Sequence, residues 1–189
     1  MIGSGAGGAP PERRRVELVD HSATWAPRAR DEAARIAGAL RDTVVRIHHV
    51  GSTSIDGIRA KPILDLIPEV RSLEALDAAA ARLGALGYTW RGEFGIAGRR
   101  YCTLDDPASG TRLVQLHCFA VGHPEIARML LFRDYLRSHP DEARAYEAEK
   151  ERCRRLHPDD TLAYADAKTA WIRACVARAM AAADPLAPR

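Results

Sequence analysis

A chain of 189 residues, 47% of them hydrophobic, can bury one adequate core, and with no composition shift along it a single domain over residues 16–182 is expected. Its 28 Lys and Arg against 25 Asp and Glu leave a net charge of +3 spread along the chain, which excludes a clustered basic footprint for nucleic acid. No apolar block is long enough to span a membrane, and the Gly- and Pro-rich opening lacks the apolar segment of a signal peptide.

In chain order, residues 1–15 are expected to form a disordered tail, and Val16 to Val19 a short strand. Pro27 to Leu40 reads as an Ala-rich helix with a proline in its first turn. Strands at 44–50 and 63–70 follow, and then a helix from Leu73 to Leu86 whose leucines make an apolar stripe and which Gly87 ends. Tyr88 to Arg91, Arg99 to Leu104 and Arg112 to Val121 are three more strands, the last two joined by the turn D-D-P-A-S-G. Three helices finish the chain, separated by Ser138-His139-Pro140 and by His157-Pro158-Asp159-Asp160, before a frayed end at 183–189. Connections this short favour antiparallel neighbours, so a small helical bundle packed on a mixed α/β sheet is expected. Cys102, Cys118, Cys153 and Cys175 are far apart and lie in apolar segments. They read as buried free thiols, in keeping with a reducing cytoplasm.

The chemistry concentrates between His48 and Asp65, in H-H-V-G-S-T-S-I-D-G-I-R-A-K-P-I-L-D. The alternating strand before Gly51 ends in a run of small residues. Gly51, Ser52, Thr53 and Ser54 bring backbone N–H groups and hydroxyls close to an anion, and Lys61 adds a positive charge. Asp65 lies inside the apolar run I-L-D-L-I, where a carboxylate is costly without a partner. Nucleotidyltransferases of the polymerase-β type have a similar layout, with a Gly-Ser turn followed by a strand bearing two metal-holding acids one residue apart. Here Asp65 takes the first acid position, Ile67 stands at the second, and Glu69 is the next carboxylate on that strand face.

The chain as a whole resembles the GrpB family, bacterial proteins with a nucleotidyltransferase-like fold. The matching stretches, in family order, are Val16 to Trp25, Ile47 to Asp65, G-I-A-G-R-R-Y (Gly95 to Tyr101), L-H-C-F (Leu116 to Phe119), Phe132 to Pro140 and His157 to Lys168. Two departures stand out. Asp56 replaces the proline usual after the Gly-Ser turn, and Gln115-Leu116-His117 replaces the His-x-His of the later strand. The resemblance implies a mixed sheet flanked by helices and a nucleotide pocket. Relatives joined to dephospho-CoA kinase imply a nucleotide or a coenzyme-A-related ligand.

Further candidates come from the residues themselves. Lys168 falls on the apolar stripe of the last helix, and Arg133 is bracketed by Ile126, Met129, Leu130 and Leu136. Either the two stems snorkel, or both heads enter a cleft where a phosphate or carboxylate compensates them. Along the strand 112–121, Gln115 and His117 face away from Val114, Leu116 and Cys118, which leaves His117 as a metal ligand or proton acceptor. Of the adjacent pair Arg99 and Arg100, only one can point into the pocket, and Arg100 is assigned to phosphate.

The leading expectation is therefore an enzyme of the nucleotidyltransferase superfamily acting on a nucleotide or a phosphorylated or carboxylate small molecule. Asp65 and His117 would be catalytic. Mg²⁺ would be held by Asp65, Glu69 and His117, and phosphate by Gly51, Ser52, Thr53, Ser54, Lys61, Arg100, Arg133 and Lys168. The alternatives are a ligase-type enzyme using the same pocket, or a non-catalytic nucleotide or metabolite-binding module on the same fold.

Overall fold

The computed structural model describes residues 15–183, so the tail expected before residue 15 and most of the frayed end at 183–189 lie outside the described residues. Five strands form one mixed sheet in the order β1-β2-β5-β4-β3. They are β1 Val44–Val50, β2 Leu64–Val70, β3 Thr89–Trp90, β4 Arg99–Asp105 and β5 Arg112–Ala120. Only β2 and β5 run parallel, and every other neighbouring pair is antiparallel.

Side-chain alternation gives the sheet two different faces. Leu64, Leu66, Cys102, Val114, Leu116 and Cys118 point to one side, where they meet helices α1 (Trp25–Leu40), α2 (Leu73–Ala78) and α3 (Ala80–Ala85) in the main core. The stripe Trp25, Ala29, Ile36 and Leu40 explains how α1 docks there, each residue being at most 2% exposed. On the other side Val50, Ile67 and Phe119 pack on Ile126 of α4 (Pro124–Ser138). Helices α5 (Pro140–Leu156) and α7 (Thr169–Ala183) pack on α4 and on Ile55 and Ile58 of the loop before β2, and α6 (Thr161–Ala167) packs on α5 through Tyr164 and Cys153. By strand alternation Asp65, His117 and Tyr101 point to this same side of the sheet.

Four expectations need correction. Helix α1 begins at Trp25 rather than Pro27, because a proline in the first turn removes only an N–H that would have no helical partner. The segment 16–19 is not a strand. Val19 makes one isolated bridge to Ala60, while Val16 is bonded to Pro158 and buried against Cys153 and Tyr164, so helices rather than the sheet claim it. The helix expected over 73–86 breaks at Ala79, with Leu76 and Leu83 still buried on the same core. The last helix also divides, at Lys168, into α6 and α7.

All four cysteines are free and buried. Among the described residues, no helix is long and apolar enough to cross a membrane.

Candidate functional site

Asp65 is brought to the α4 side of the sheet because its neighbours Leu64 and Leu66 are taken by the main core. Across the ladder its partner is Val50, so the turn after β1 begins directly over the carboxylate. Gly51 has φ +69°, and a Cβ built on it would overlap Oδ2 of Asp65 and lie 3.0 Å from the aspartate Cβ. Both facts require glycine. The glycine and the acid are thus one unit, in contact across a strand pair.

The short 3-10 turn Ser52–Ser54 that follows spends two of its three hydroxyls on backbone carbonyls. Ser54 Oγ donates to the Gly51 carbonyl at 2.7 Å, and Thr53 Oγ1 donates to the Ile63 carbonyl at 3.3 Å. His49 Nε2 lies 3.0 Å from Thr53 Oγ1 and, since that hydroxyl already donates, it supplies the proton. Burial lowers the His49 pKa to about 4, against the pull of Asp65. Thr53 and Ser54 are 3% exposed. They build the turn instead of facing a ligand. Ser52 Oγ, only 3.5 Å from Tyr146 Oη, is the loosely held hydroxyl. Arg133 is also spent, on the His49 carbonyl at 3.0 Å and on Asp134, while Arg137 holds the Ser54 carbonyl at 2.8 Å. These two arginines pin the turn to α4.

From Asp65 a chain of contacts runs across the sheet. His117 Nε2 is 3.4 Å from Asp65 Oδ1, and His117 Nδ1 is 3.2 Å from Arg99 Nη1. A guanidinium can only donate, so Nδ1 is the acceptor and Nε2 carries the proton toward Asp65. His117 therefore faces the carboxylate with one nitrogen and Arg99 with the other. The arginine facing the site is Arg99, not Arg100. Arg100 points to the opposite face and pairs with Asp77 of α2 at 2.7 Å through both nitrogens, as strand alternation demands. Arg99 also donates to the carbonyls of Glu93 and Phe94 and lies 4.9 Å from the Tyr101 ring centroid. Phe94 stacks on that ring at 5.1 Å, and the ring lies 5.4 Å from His117. Phe94 has φ +45° and is 49% exposed, so the stack opens to solvent.

On the other flank of Asp65 stand lysines. Lys61 Nζ lies 5.3 Å and Lys168 Nζ 4.2 Å from the centre of one ring, that of Tyr164. Neither has a hydrogen-bond acceptor or a carboxylate within ion-pair distance among the described residues. Burial lowers both pKa values to about 8, with Asp65 opposing the shift, and Lys168 further depresses Lys61. The division of the last helix at Lys168 turns this side chain inward, one turn after Tyr164.

Sequence reasoning missed a third amine. Lys150 on α5 is 1% exposed, donates to the Arg59 carbonyl and lies 5.0 Å from the Tyr146 ring. Burial and then Lys168 lower its pKa to about 7. The signal was present, since Ala143, Tyr146, Lys150 and Cys153 form one helical stripe.

The donor set does not fit a protein-held Mg²⁺. That ion wants several oxygens in octahedral geometry. Glu69 lies four residues along β2 from Asp65, about 13 Å at strand rise, and pairs with His48 at 3.1 Å. Ile67, at the second acid position, is fully buried. His117 Nδ1 faces Arg99. No group of three or more His, Cys, Asp or Glu suited to a metal occurs among the described residues. Two surface depressions along α5, both bordered by Arg59 and Glu151, are not lined by Asp65.

Comparisons with known proteins agree with this architecture. Residues 15–178 match the family model described as GrpB protein. The UPF0157 protein YqkA of Bacillus subtilis is 40% identical over 161 residues, covering 85% of this chain but only 46% of that relative. The crystal structure of the conserved protein GrpB from Enterococcus faecalis superposes with a TM-score of 0.80 at 31% identity, covering 87% of this chain and 97% of that one. A structure of Cid1 in complex with its short product ApU shares the fold at a TM-score of 0.50 and 14% identity, over 70% of this chain and 42% of that one. With the family model matched over residues 15–178 and a GrpB crystal structure superposing over most of the chain, the chain belongs to the GrpB family.

Proposed function

We propose that this protein binds a nucleotide through its phosphates and carries out phosphate chemistry on it or on a small-molecule partner. The observation behind this reading is the charge imbalance beside Asp65. Lys61 and Lys168 flank one tyrosine ring with Asp65 the carboxylate that acts on both, and an ammonium this sheltered favours an anionic ligand. The Ser52 hydroxyl of the adjoining turn, held only loosely by Tyr146, is a further donor for a phosphate oxygen. Phe94, at the solvent end of the ring stack that starts at His117, offers a face for a planar base.

In the enzymatic form of this reading an acceptor hydroxyl attacks phosphorus while its proton passes to Asp65, which faces His117. The P–O bond to the leaving phosphate breaks, and the lysines neutralise the charge that develops on it. The second reading, a non-catalytic nucleotide or metabolite-binding module, is favoured by one observation: Ile67 is fully buried where the second acid would stand.

Calorimetric titration with ATP, GTP, CTP, UTP and inorganic tripolyphosphate tests the reading. At least one nucleotide should bind more tightly than tripolyphosphate, and Phe94→Ala should erase that advantage. Equal or absent binding of all five would remove the nucleotide from the proposal. A bound nucleotide that is turned over in the presence of hydroxyl or amine acceptors separates the enzyme from the module.

A further inference from the structure

Lys150 has no place in the reading above, yet it is the most sheltered charged group in the described chain at 1% exposed. An ammonium has three protons to donate, and among the described residues only one acceptor is in reach, the Arg59 carbonyl. Glu147, the acid one turn earlier on α5, is held by Arg59 at 2.7 Å. Tyr146 lies under the amine, and its hydroxyl reaches Ser52 of the glycine turn. Lys150 reaches the Arg59 carbonyl two residues before Lys61, Lys61 and Lys168 share the Tyr164 ring, and Tyr164 packs on Cys153 one turn after Lys150. The three amines thus gather from α5, the α6–α7 joint and the 55–63 loop, with Asp65 of β2 acting electrostatically on Lys61 and Lys168.

The cluster has three amines against the Asp65 carboxylate, since Glu147, which also acts on Lys150, is already paired with Arg59. A dication entering it meets three ammonium groups and a single oxygen pair, of which Oδ1 already accepts from His117. An anion meets complementary charge from the three amines. We propose that Lys61, Lys150 and Lys168 form a metal-independent anion site, in which amines take the part of a divalent cation in neutralising the ligand's phosphate or carboxylate group. The inference rests on the proposed binding pocket but not on the ligand being a nucleotide. The ligand class it requires is a compact polyanion, such as a polyphosphate chain or a di- or tricarboxylate.

Tripolyphosphate, citrate and ATP titrated calorimetrically in EDTA and again in excess Mg²⁺ provide the test. Tripolyphosphate or citrate should bind in EDTA at least as tightly as in Mg²⁺, and Lys150→Met should weaken that binding roughly ten-fold or more, the loss expected for a buried charge-assisted contact. Methionine preserves most of the buried volume, so the variant should stay folded. If it does not, Lys61→Met and Lys168→Met carry the same comparison at less buried positions. Binding that appears only with Mg²⁺, or folded variants that bind as wild type, would overturn the inference and leave the nucleotide reading standing. Metal-free, Lys150-dependent binding of tripolyphosphate or citrate with no preference for ATP would support the inference and remove the nucleotide. No binding of any probe in either condition overturns both.

Discussion

At residue scale the tightest constraint is the contact of Gly51 with Asp65. Two separate costs meet there, a left-handed backbone and a space already filled by a carboxylate. Gly51→Ala should therefore destabilise the fold by about 1–3 kcal/mol. Asp65→Ala removes the overlap but not the backbone strain, so the double variant should lose less than the sum of the two single changes. Urea denaturation of the four proteins measures this coupling. Strict additivity would mean that the two residues do not share the space assigned to them. The same logic assigns Thr53, Ser54 and Arg133 to holding the turn, since each already has an internal acceptor.

At the scale of elements, β4 shows what alternation decides. Arg99 and Arg100 are adjacent, and the sheet sends one to His117 and the other to Asp77. Arg100→Ala removes an ion pair at the rim and should cost no more than about 1 kcal/mol, with ligand affinity unchanged. Arg99→Ala strips the carbonyls of Glu93 and Phe94 of their donor and frees the imidazole, so it should cost several kcal/mol or mobilise the 91–98 loop. Nitrogen-15 NMR of the histidines supplies the sharper readout. His117 should carry its proton on Nε2 in the wild type and a mixture of tautomers in Arg99→Ala, whereas a proton on Nδ1 in the wild type contradicts the geometry.

For the whole molecule, the buried amines set a dependence on pH. Burial lowers the lysine pKa values to about 8, 7 and 8 for Lys61, Lys150 and Lys168, against 10.5 in an unfolded chain. Unfolding then takes up protons, so stability should rise with pH from about 7. Above about 10 the sign reverses. Tyr101 and Tyr146 are pushed up to about 12 by burial, and there the folded state holds protons that the unfolded one has lost. Lys150→Met should flatten the rising limb in denaturation experiments across this window. A rising limb unchanged in that variant would mean that Lys150 is not buried as a charged group.

Much of this protein could be read from the order of its residues. The strands at 44–50 and 112–120, the proline-punctuated helices and the glycine-serine turn with Asp65 downstream all follow from periodicity, turn chemistry and the position of one acid in an apolar run. These are local properties, and a local pattern is enough to fix them. The stripe on α5 was equally local, so Lys150 was legible by the rule that singled out Lys168. Other features depend on what packs from a distance. Nothing in T-S after Gly51-Ser52 reveals that both hydroxyls are already bonded, because their acceptors are carbonyls supplied by the fold of the turn and by Ile63. Glu69 shares a strand face with Asp65 in sequence, yet strand rise separates them and His48 claims the farther acid. The choice between Arg99 and Arg100 needed the identity of each sheet face, and the convergence of three lysines needed helices and a loop far apart in the chain to meet over two tyrosine rings. Sequence determined which residues could bear charge or turn the chain. Tertiary structure decided which of those charges were already paired, because pairing depends on distance in space and not along the chain.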